Sequence, residues 1–534
     1  MYIRTNPLFL TPLLLVAGAC FDPRVTLSTD TDAGTDTDPT EDADTSTTDD
    51  SATTTPADSD DAADSTGVDD APPVVLAFTI DGSTMPNERD IGGQILLEAD
   101  ATDDLGLDRV EFYDGEELLA AVAEPPYRMT VMLSSADNGS HVYSARAVDT
   151  AEQHGDSEGI SLSVNILGGQ ILELHEDIGS AYMALMWGLP RLALDASGDV
   201  LVTRTAAPNL LGNSRVTASR LTPDLSLLWD SALTPFGSSS VALAAPTLTS
   251  TGEFLVGTYT AGDPAQTTVY RADFADGTPL EILEMGEAGD FTYPVTTQLS
   301  SGSLLLSSHR ALVEARSADL SEIEWIREQF TYDPEQGSTW DGIHGFDAGT
   351  RGTSLVTFIP SAVTCGATAE ACIRLLSPDG TTLWTRPAAG GHSDLPISTA
   401  RFDAQGRVYS VHGLSDGGLR LLAYDNDGTE LGDYTVLEDV AVDISDLAID
   451  HQGNLVIVGY EDFESAWASR ITPQGSVLWA RAFDELPAGP IFGTAAGGVV
   501  VSEGGRAYLT GAGNMEAGDG FSVEGRAWIM EIGL

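Results

Sequence analysis

The sequence predicts an all-β protein, a β-sandwich followed by a seven-bladed β-propeller with four-stranded blades. Three observations carry this. Short runs of alternating apolar and polar residues, bounded by Gly, Pro and Asp, fill the folded part, with no helical period. From residue 167 onward one unit recurs: an apolar strand, an Asp-x-x-Gly turn, a second strand, a third ending in a phrase such as Thr-Pro-x-Gly, and a fourth closing on Leu-Trp. Leu447 to Phe483 is its cleanest copy. The turn glycine falls at Gly198, Gly252, Gly302, Gly352, Gly406, Gly453 and Gly505, spaced by 54, 50, 50, 54, 47 and 52 residues, which makes seven copies. Four-stranded units of about fifty residues bury their faces only against their neighbours, which is the signature of a propeller.

Two segments of another kind precede the fold. Met1 to Asn6 carries Arg4 and no acid, Pro7 to Val16 is almost wholly apolar, and Ala17-Gly18-Ala19 sets small residues directly before Cys20. Residues 1–19 therefore read as a signal peptide, too short for a stable spanning helix. Small residues followed at once by cysteine resemble the lipobox of bacterial lipoproteins, which implies that the Cys20 thiol is lipidated and that Cys20 becomes the first mature residue. Phe21 rather than aspartate follows, which among lipoproteins resembles export to the outer membrane. The expected address is exported, lipid-anchored and at the outer membrane, on its periplasmic or its surface side.

Residues 20–71 carry that cysteine and a run rich in Asp, Thr, Ser and Ala, with Arg24 as its one base. Nothing there offsets ordering entropy by burial, so the segment is expected to be a disordered acidic linker. Self-repulsion should stretch it beyond the roughly 40 Å of a flexible chain of this length. The whole chain has 82 acidic residues against 24 basic ones, all arginine, for a net charge of −58. That field excludes nucleic acid and anionic membrane surfaces as partners, so membrane contact is expected through the lipid anchor only.

Residues 72–166 show strands at sandwich spacing, with Asp114-Gly115 read as a hairpin turn and a core expected on Leu97, Val110, Phe112, Tyr127, Tyr143 and Val148. The pattern is that of an immunoglobulin-like β-sandwich. Its phrases LEADATDDLGLDRVEFYDGEEL, EPPYRMTV and HVYSARAVDTA resemble the bacterial immunoglobulin-like modules of exported proteins, which implies a spacer.

Residues 167–534 form the repeat array. The seventh copy stops after its third strand, and a lone strand at 168–177 precedes the first copy, so Ile171 to His175 is expected to pair with Ala527 to Ile532 and complete that blade. Asp379 to Trp384 reads Asp-Gly-Thr-Thr-Leu-Trp, and Asp224 to Trp229 and Gln474 to Trp479 are partial copies. The phrase resembles the repeats of the PQQ-like (quinoprotein-like) propeller superfamily, which includes quinone-dependent dehydrogenases and non-enzymatic lipoproteins such as the outer-membrane assembly factor. The dehydrogenase branch carries an adjacent cysteine pair that this chain lacks. Cys365 and Cys372 stand in one loop excursion of the fourth copy and are expected to form a local disulfide in an oxidising compartment. Trp229, Trp384 and Trp479 share one repeat position and are expected to pack.

No catalytic constellation is apparent. Asp425-Asn426-Asp427-Gly428 opens like a calcium loop, but Val436 stands where the bidentate acid is needed, so a hairpin turn is expected. Eight histidines are scattered singly without metal-ligand spacing, and neither a metal nor another cofactor is expected. The turns within copies are uniform, whereas the links between copies vary, and variable loops on a rigid ring are where ligand contacts sit. These links supply the candidate ligand-binding residues Trp187, Tyr293, Trp340, His344 and His392, with Phe291 beside them and Asp290, Asp341 and Asp394 interleaved. Aromatics among carboxylates suit a sugar or a cationic group; the other reading is that they cover the channel mouth. The function expected is a monomeric cell-envelope lipoprotein that binds or scaffolds an envelope protein or polysaccharide without catalysis. The alternative is an exported propeller enzyme, quinone-linked or polysaccharide-degrading, which needs two or more acids or histidines converging in the channel.

Overall fold

The computed structural model describes residues 71–534 except 87, 91, 179, 185–188, 207–213, 236–239, 243, 261–264, 289–294, 310–311, 330–341, 350–351, 360–370, 389–398, 415–416, 439, 462–464, 487–493 and 518–521. The chain divides between Val68 and Asp69, and every described residue lies in the second part. Cys20 and the acidic linker up to residue 70 fall outside the described residues. Apart from one short 3-10 turn, every regular element described is a strand. No helix among the described residues is long and apolar enough to cross a membrane.

The N-terminal sandwich packs a three-stranded sheet (Val74–Ile80, Gly93–Thr102, Tyr127–Leu133) on a second sheet built around Leu107–Asp114, Glu117–Val122, Gly139–Asp149 and Ile160–Val164. Alternation puts Ile95, Leu97 and Ala99 inward from one sheet and Val110, Phe112, Tyr143 and Ala145 inward from the other. A fully buried side chain of this size contributes roughly 1.5–3 kcal/mol, so this cluster holds the sandwich without a cysteine pair. Of the expected core, Tyr127 is only partly buried and Val148 is buried outside the cluster. The hairpin loop is Gly115–Glu116, one residue later than its sequence suggests, because Asp114 still pairs with Glu117 and Gly115 takes the positive φ of 59°.

Seven consecutive antiparallel sheets follow, five with four strands and two, the second and the seventh, with five, none closed on itself. The first four strands (Arg191–Leu194, Val200–Ala206, Arg215–Leu221, Leu227–Ala232) set the pattern. The seven counted glycines all occupy the first turn with φ between 71° and 91°. In each, the glycine amide donates to the carbonyl three residues back, as Gly198 to Asp195 and Gly453 to Asp450. Where aspartate opens the turn its Oδ1 accepts two further amides, as Asp450 does from Gln452 and Asn454. In the second turn, Gly277, Gly380, Gly428 and Gly475 are matched by Leu225 (φ 60°) and Leu320 (φ 63°). A leucine there costs about 1–2 kcal/mol, and both are buried between sheets, which offsets a similar amount.

Neighbouring sheets share buried clusters. The first and second meet through Val216, Ala218, Phe254 and Val256, the fifth and sixth through Val411, Leu421, Leu447 and Ile457. The first and seventh also share one, in which Leu192, Val200, Val202 and Leu225 pack with Tyr508 and Ile529. The tryptophans at the recurrent position each cover a glycine of the next sheet: Trp229 lies on Gly277, Trp325 on Gly380 and Trp384 on Gly428. Their Nε1 atoms donate to Phe274 O (3.1 Å), Pro378 O (2.9 Å) and Asn426 O (3.0 Å). Tyr434 replaces the tryptophan in the fifth sheet, against Gly475.

The seventh sheet takes strands from both ends of the array. Ile171–His175 pairs antiparallel with Ser522–Ile532 in the register Ile171 to Ile532 and His175 to Ile529, and Ser180–Ala184 continues along the same strand. Where the other sheets have a turn between third and fourth strands, this one has a chain break bridged by hydrogen bonds. Gly169 N donates to Gly533 O and Gly533 N to Gln170 O, each at 2.8 Å, and Trp479 covers Gly168 and Gly169. The sandwich abuts this region: Ser135 N donates to Leu534 O at 2.7 Å, and Gln452 Nε2 to Asp137 Oδ2 at 3.2 Å.

Candidate functional site at the inner strands

The innermost strands of six sheets contribute to one cleft of about 90 Å³, lined by Arg191, Thr296, His344, Thr399, Arg401 and Asp446 among others. Local irregularity shapes it. The register slips between Ile343 and Gly345, between Ile444 and Asp446, and between Ala496 and Gly498, leaving His344, Ser445 and Gly497 as bulged residues. Bulges bend a strand and re-aim its groups, and they gather beside functional sites. They need close backbone approach: a Cβ at Gly459 would fall 1.8 Å from Asp443 O, and one at Gly511 2.0 Å from Ala495 O.

Arg191, from the first sheet, donates through Nη1 to the bulged carbonyls Ser445 O (2.9 Å) and Gly497 O (2.5 Å) of the sixth and seventh. Its Nε is buried without a partner. Burial lowers its pKa, opposed by Asp446 and aided by Arg401, yet a guanidinium stays charged in any protein. Arg401 instead has a counter-charge, with Nη2 2.7 Å from Asp446 Oδ1. Asp446 also accepts Leu447 N on Oδ1 (2.9 Å) and Val499 N on Oδ2 (3.2 Å). Asp347, in the strand that carries His344, accepts Phe402 N (2.7 Å) and Ala348 N (3.0 Å). Burial pushes its pKa up, against the pull of Arg401 and those two amides.

Both carboxylates of the cluster have a donor on each oxygen, which fixes their orientation. No group of three or more His, Cys, Asp or Glu among the described residues is arranged to hold a metal ion. The Asp425–Gly428 phrase is a hairpin turn, its Asp425 Oδ1 accepting the amides of Asp427 and Thr429.

Of the five candidate ligand-binding residues, His344 lies in the cleft, while Trp187, Tyr293, Trp340 and His392 lie outside the described residues, as do Phe291, Asp290, Asp341 and Asp394. Cys372 is fully buried and disulfide-bonded; its expected partner Cys365 is outside the described residues. Loop-based reasoning missed the charged cluster because it sits within strands. A signal was present. Four residues before the turn-opening position the seven copies read Arg191, Ala245, Val295, Gly345, Thr399, Asp446 and Gly498, and two before it they read Ala193, Thr247, Thr297, Asp347, Arg401, Ala448 and Val500. Four charges in two otherwise uncharged columns mark one face of the inner strands.

A second, larger cleft of about 510 Å³ lies at the turns of the fifth and sixth sheets, lined by Asp403, Arg407, Asp450, His451 and Pro473 among others. Its charges are paired internally, Arg407 with Asp403 at 2.6 Å and Arg470 with Asp450 at 2.6 Å. Burial lowers the His451 pKa.

Residues 79–145 match the family described as Bacterial Ig domain. The chain is similar to a solved structure of fibronectin(III)-like modules of CbhA from Clostridium thermocellum, at 23% sequence identity and a TM-score of 0.16, covering 17% of this chain and 99% of that one. No curated protein matches the chain.

Proposed function

We propose that this is a cell-envelope lipoprotein in which the seven sheets are the blades of a β-propeller resembling the PQQ-like superfamily, and that it binds an envelope partner without catalysis. The observation that carries the binding reading is the inner-strand cleft, where residues of six sheets converge, Arg191, Arg401 and Asp446 among them. Support for the propeller comes from the cluster shared by first and seventh sheets and from the pairing of Ile171–His175 with the C-terminal strand. The tryptophan-on-glycine contacts fit the repeat phrase that carries the superfamily resemblance. The bacterial Ig-type sandwich then serves as a spacer, and Cys20 as the lipid anchor at the outer membrane. Trp187, Tyr293, Trp340 and His392 join His344 in presenting the partner surface, with Cys365 bonded to Cys372 in the fourth sheet's excursion.

Two experiments test this. Envelope polysaccharide and envelope proteins should be retained by the intact chain and lost when Trp187, Trp340 and His392 are changed together to alanine, whereas changes at exposed turn residues such as Asp224 and Asp379 leave retention intact. Equal retention by both sets of variants would overturn the assignment. Changing Cys20 to Ser should move the folded protein out of the membrane fraction; a variant that survives carbonate washing on the membrane defeats the anchor.

A further inference from the structure

Among the described residues, the hydrogen bonds between the sandwich and the array come from one turn, Ser134 to Asp137. Ser135 N donates to Leu534 O (2.7 Å), Gln452 Nε2 donates to Asp137 Oδ2 (3.2 Å), and Ser134 Oγ lies 3.5 Å from Gln452 Oε1. Gln452 is held in its turn by Arg470 of the enclosed Asp450 pair, Nη2 to Oε1 at 2.8 Å. The joint sits far from where the chain enters the sandwich. Val74 pairs with Thr102 at one end of the ten-residue strand Gly93–Thr102, and Gly93 pairs with Leu133 at the other, beside the turn. That strand is about 30 Å long, so the joint decides how the array is held at the far end of the sandwich.

Within the sandwich the turn hangs from His141. Its Nε2 lies 2.7 Å from Asp137 O and its Nδ1 2.6 Å from Asp114 Oδ2. Neither oxygen carries a proton to give, so the two contacts together need a doubly protonated ring. The charged groups facing that ring are Asp114, at the end of Leu107–Asp114, and Asp137 in the turn, with Tyr143 of its own strand stacked at 5.8 Å. From the array, His451 faces Asp137, and burial lowers its pKa, so it titrates on the acid side of His141. When His141 loses a proton, the Asp114 carboxylate keeps the one on Nδ1. Nε2 gives its proton up, and a lone pair then opposes the Asp137 carbonyl. Asn138 still ties the turn to the exit of the sandwich, through Ile166 O (2.9 Å) and Ile166 N (2.6 Å), which makes Ile166 and Leu167 the pivot.

We propose that the Ser134–Asp137 turn is a pH-operated latch: His141 with both ring nitrogens protonated holds the sandwich docked on the array, and loss of the Nε2 proton releases the joint. Burial lowers the His141 pKa, but Asp114 and Asp137 outweigh it and the net shift is upward from 6.5. The latch is therefore closed below 6.5 and opens as pH rises through the folded-state value. It concerns how the array is held and stands whatever the array binds.

The test measures the distance between spin labels on Glu117→Cys, exposed on the sandwich, and Glu322→Cys, exposed on the array, in the full chain with Cys20→Ser. The distribution should be narrow at about pH 6 and at least twice as broad at about pH 9. In His141→Gln, which does not titrate, the width should be the same at the two pH values. If that variant does not fold, Gln452→Leu weakens the joint from the array side and should move the broadening to lower pH. A width that does not change with pH, an unaltered pH response in His141→Gln, or an unmoved midpoint in Gln452→Leu each overturns the latch.

Discussion

Trp384 covers Gly428: its Nε1 donates to Asn426 O at 3.0 Å, and a Cβ on Gly428 would fall 2.8 Å from its Cγ. The contact joins the fourth sheet to the fifth, and it recurs at Trp229 with Gly277 and Trp325 with Gly380. Gly428 has φ 79° and Gly453 has φ 82°, but nothing lies within 4 Å of a Cβ on Gly453. Gly453→Ala should therefore cost about 1–2 kcal/mol from backbone strain alone, and Gly428→Ala an additional 1–3 kcal/mol, roughly, from overpacking. Trp384→Ala should cost about 3–5 kcal/mol. Urea denaturation of the three variants decides it, and equal losses for the two glycine variants would show that the tryptophan contact does not join the sheets.

The strand Ile171–His175 is the second prediction. Its pairing with Ser522–Ile532 spans the whole array, and without it the C-terminal strand would be left with an open edge. Deleting residues 168–177, or truncating after Arg526, should lower the midpoint of unfolding far more than removing residues 21–70, and should promote aggregation. If the deletion proves as benign as removal of the linker, the seventh sheet does not depend on its fourth strand.

His141 makes the sandwich sensitive to pH. Its Nδ1 is 2.6 Å from Asp114 Oδ2 and its Nε2 is 2.7 Å from Asp137 O, and both contacts need a proton on the ring nitrogen. Burial pulls the pKa down, but the hydrogen bonds and charges of Asp114 and Asp137 outweigh it and the net shift is upward from 6.5. A raised folded-state pKa means that the stabilisation is complete below the unfolded value of about 6.5 and is lost as pH rises through the folded one. Denaturation midpoints should accordingly fall as pH rises above about 6.5, and His141→Gln should flatten that part of the profile. A wild-type profile already flat there would remove the histidine from the account.

How much of this was legible follows from what each residue has to do locally. The turn glycines could be counted because few residues other than glycine adopt a positive φ cheaply, and all seven do adopt it. The second turn was harder to follow, since Leu225 and Leu320 hold the same backbone position by being buried. Core positions such as Leu97 and Phe112 follow from period-two alternation, whereas Tyr127 at the cluster's margin does not. The cleft was illegible from its loops because Arg191, Asp347, Arg401 and Asp446 come from four different copies, and only stacking of the copies brings them together. The contact of the sandwich with the array, Ser135 N to Leu534 O, joins segments about four hundred residues apart and leaves no local mark.

The ion pair of Asp450 and Arg470 is fully enclosed, 2.6 Å apart with both side chains at 0% exposure. Arg470 Nε also donates to Asp450 Oδ2 at 2.7 Å and Nη2 to Gln452 Oε1 at 2.8 Å, while Gln452 reaches Asp137 of the sandwich. Desolvation makes such a pair weak evidence of stability, yet removing one partner strands the other's charge, at a cost of about 3–5 kcal/mol. Asp450→Asn keeps an oxygen for the Gln452 and Asn454 amides but turns the rest of its amide into a poor partner for Arg470, so it should show that full loss. Adding Arg470→Met removes the stranded charge and should recover at least half of it, roughly 2 kcal/mol. The exposed pair Arg420 and Asp433, with side chains 38% and 42% exposed, is the control, and Asp433→Asn should cost less than about 1 kcal/mol. Guanidinium titrations of the single and double variants measure all three terms, and a double variant no more stable than Asp450→Asn would show that packing around Arg470, rather than its charge, holds the sixth sheet to the sandwich.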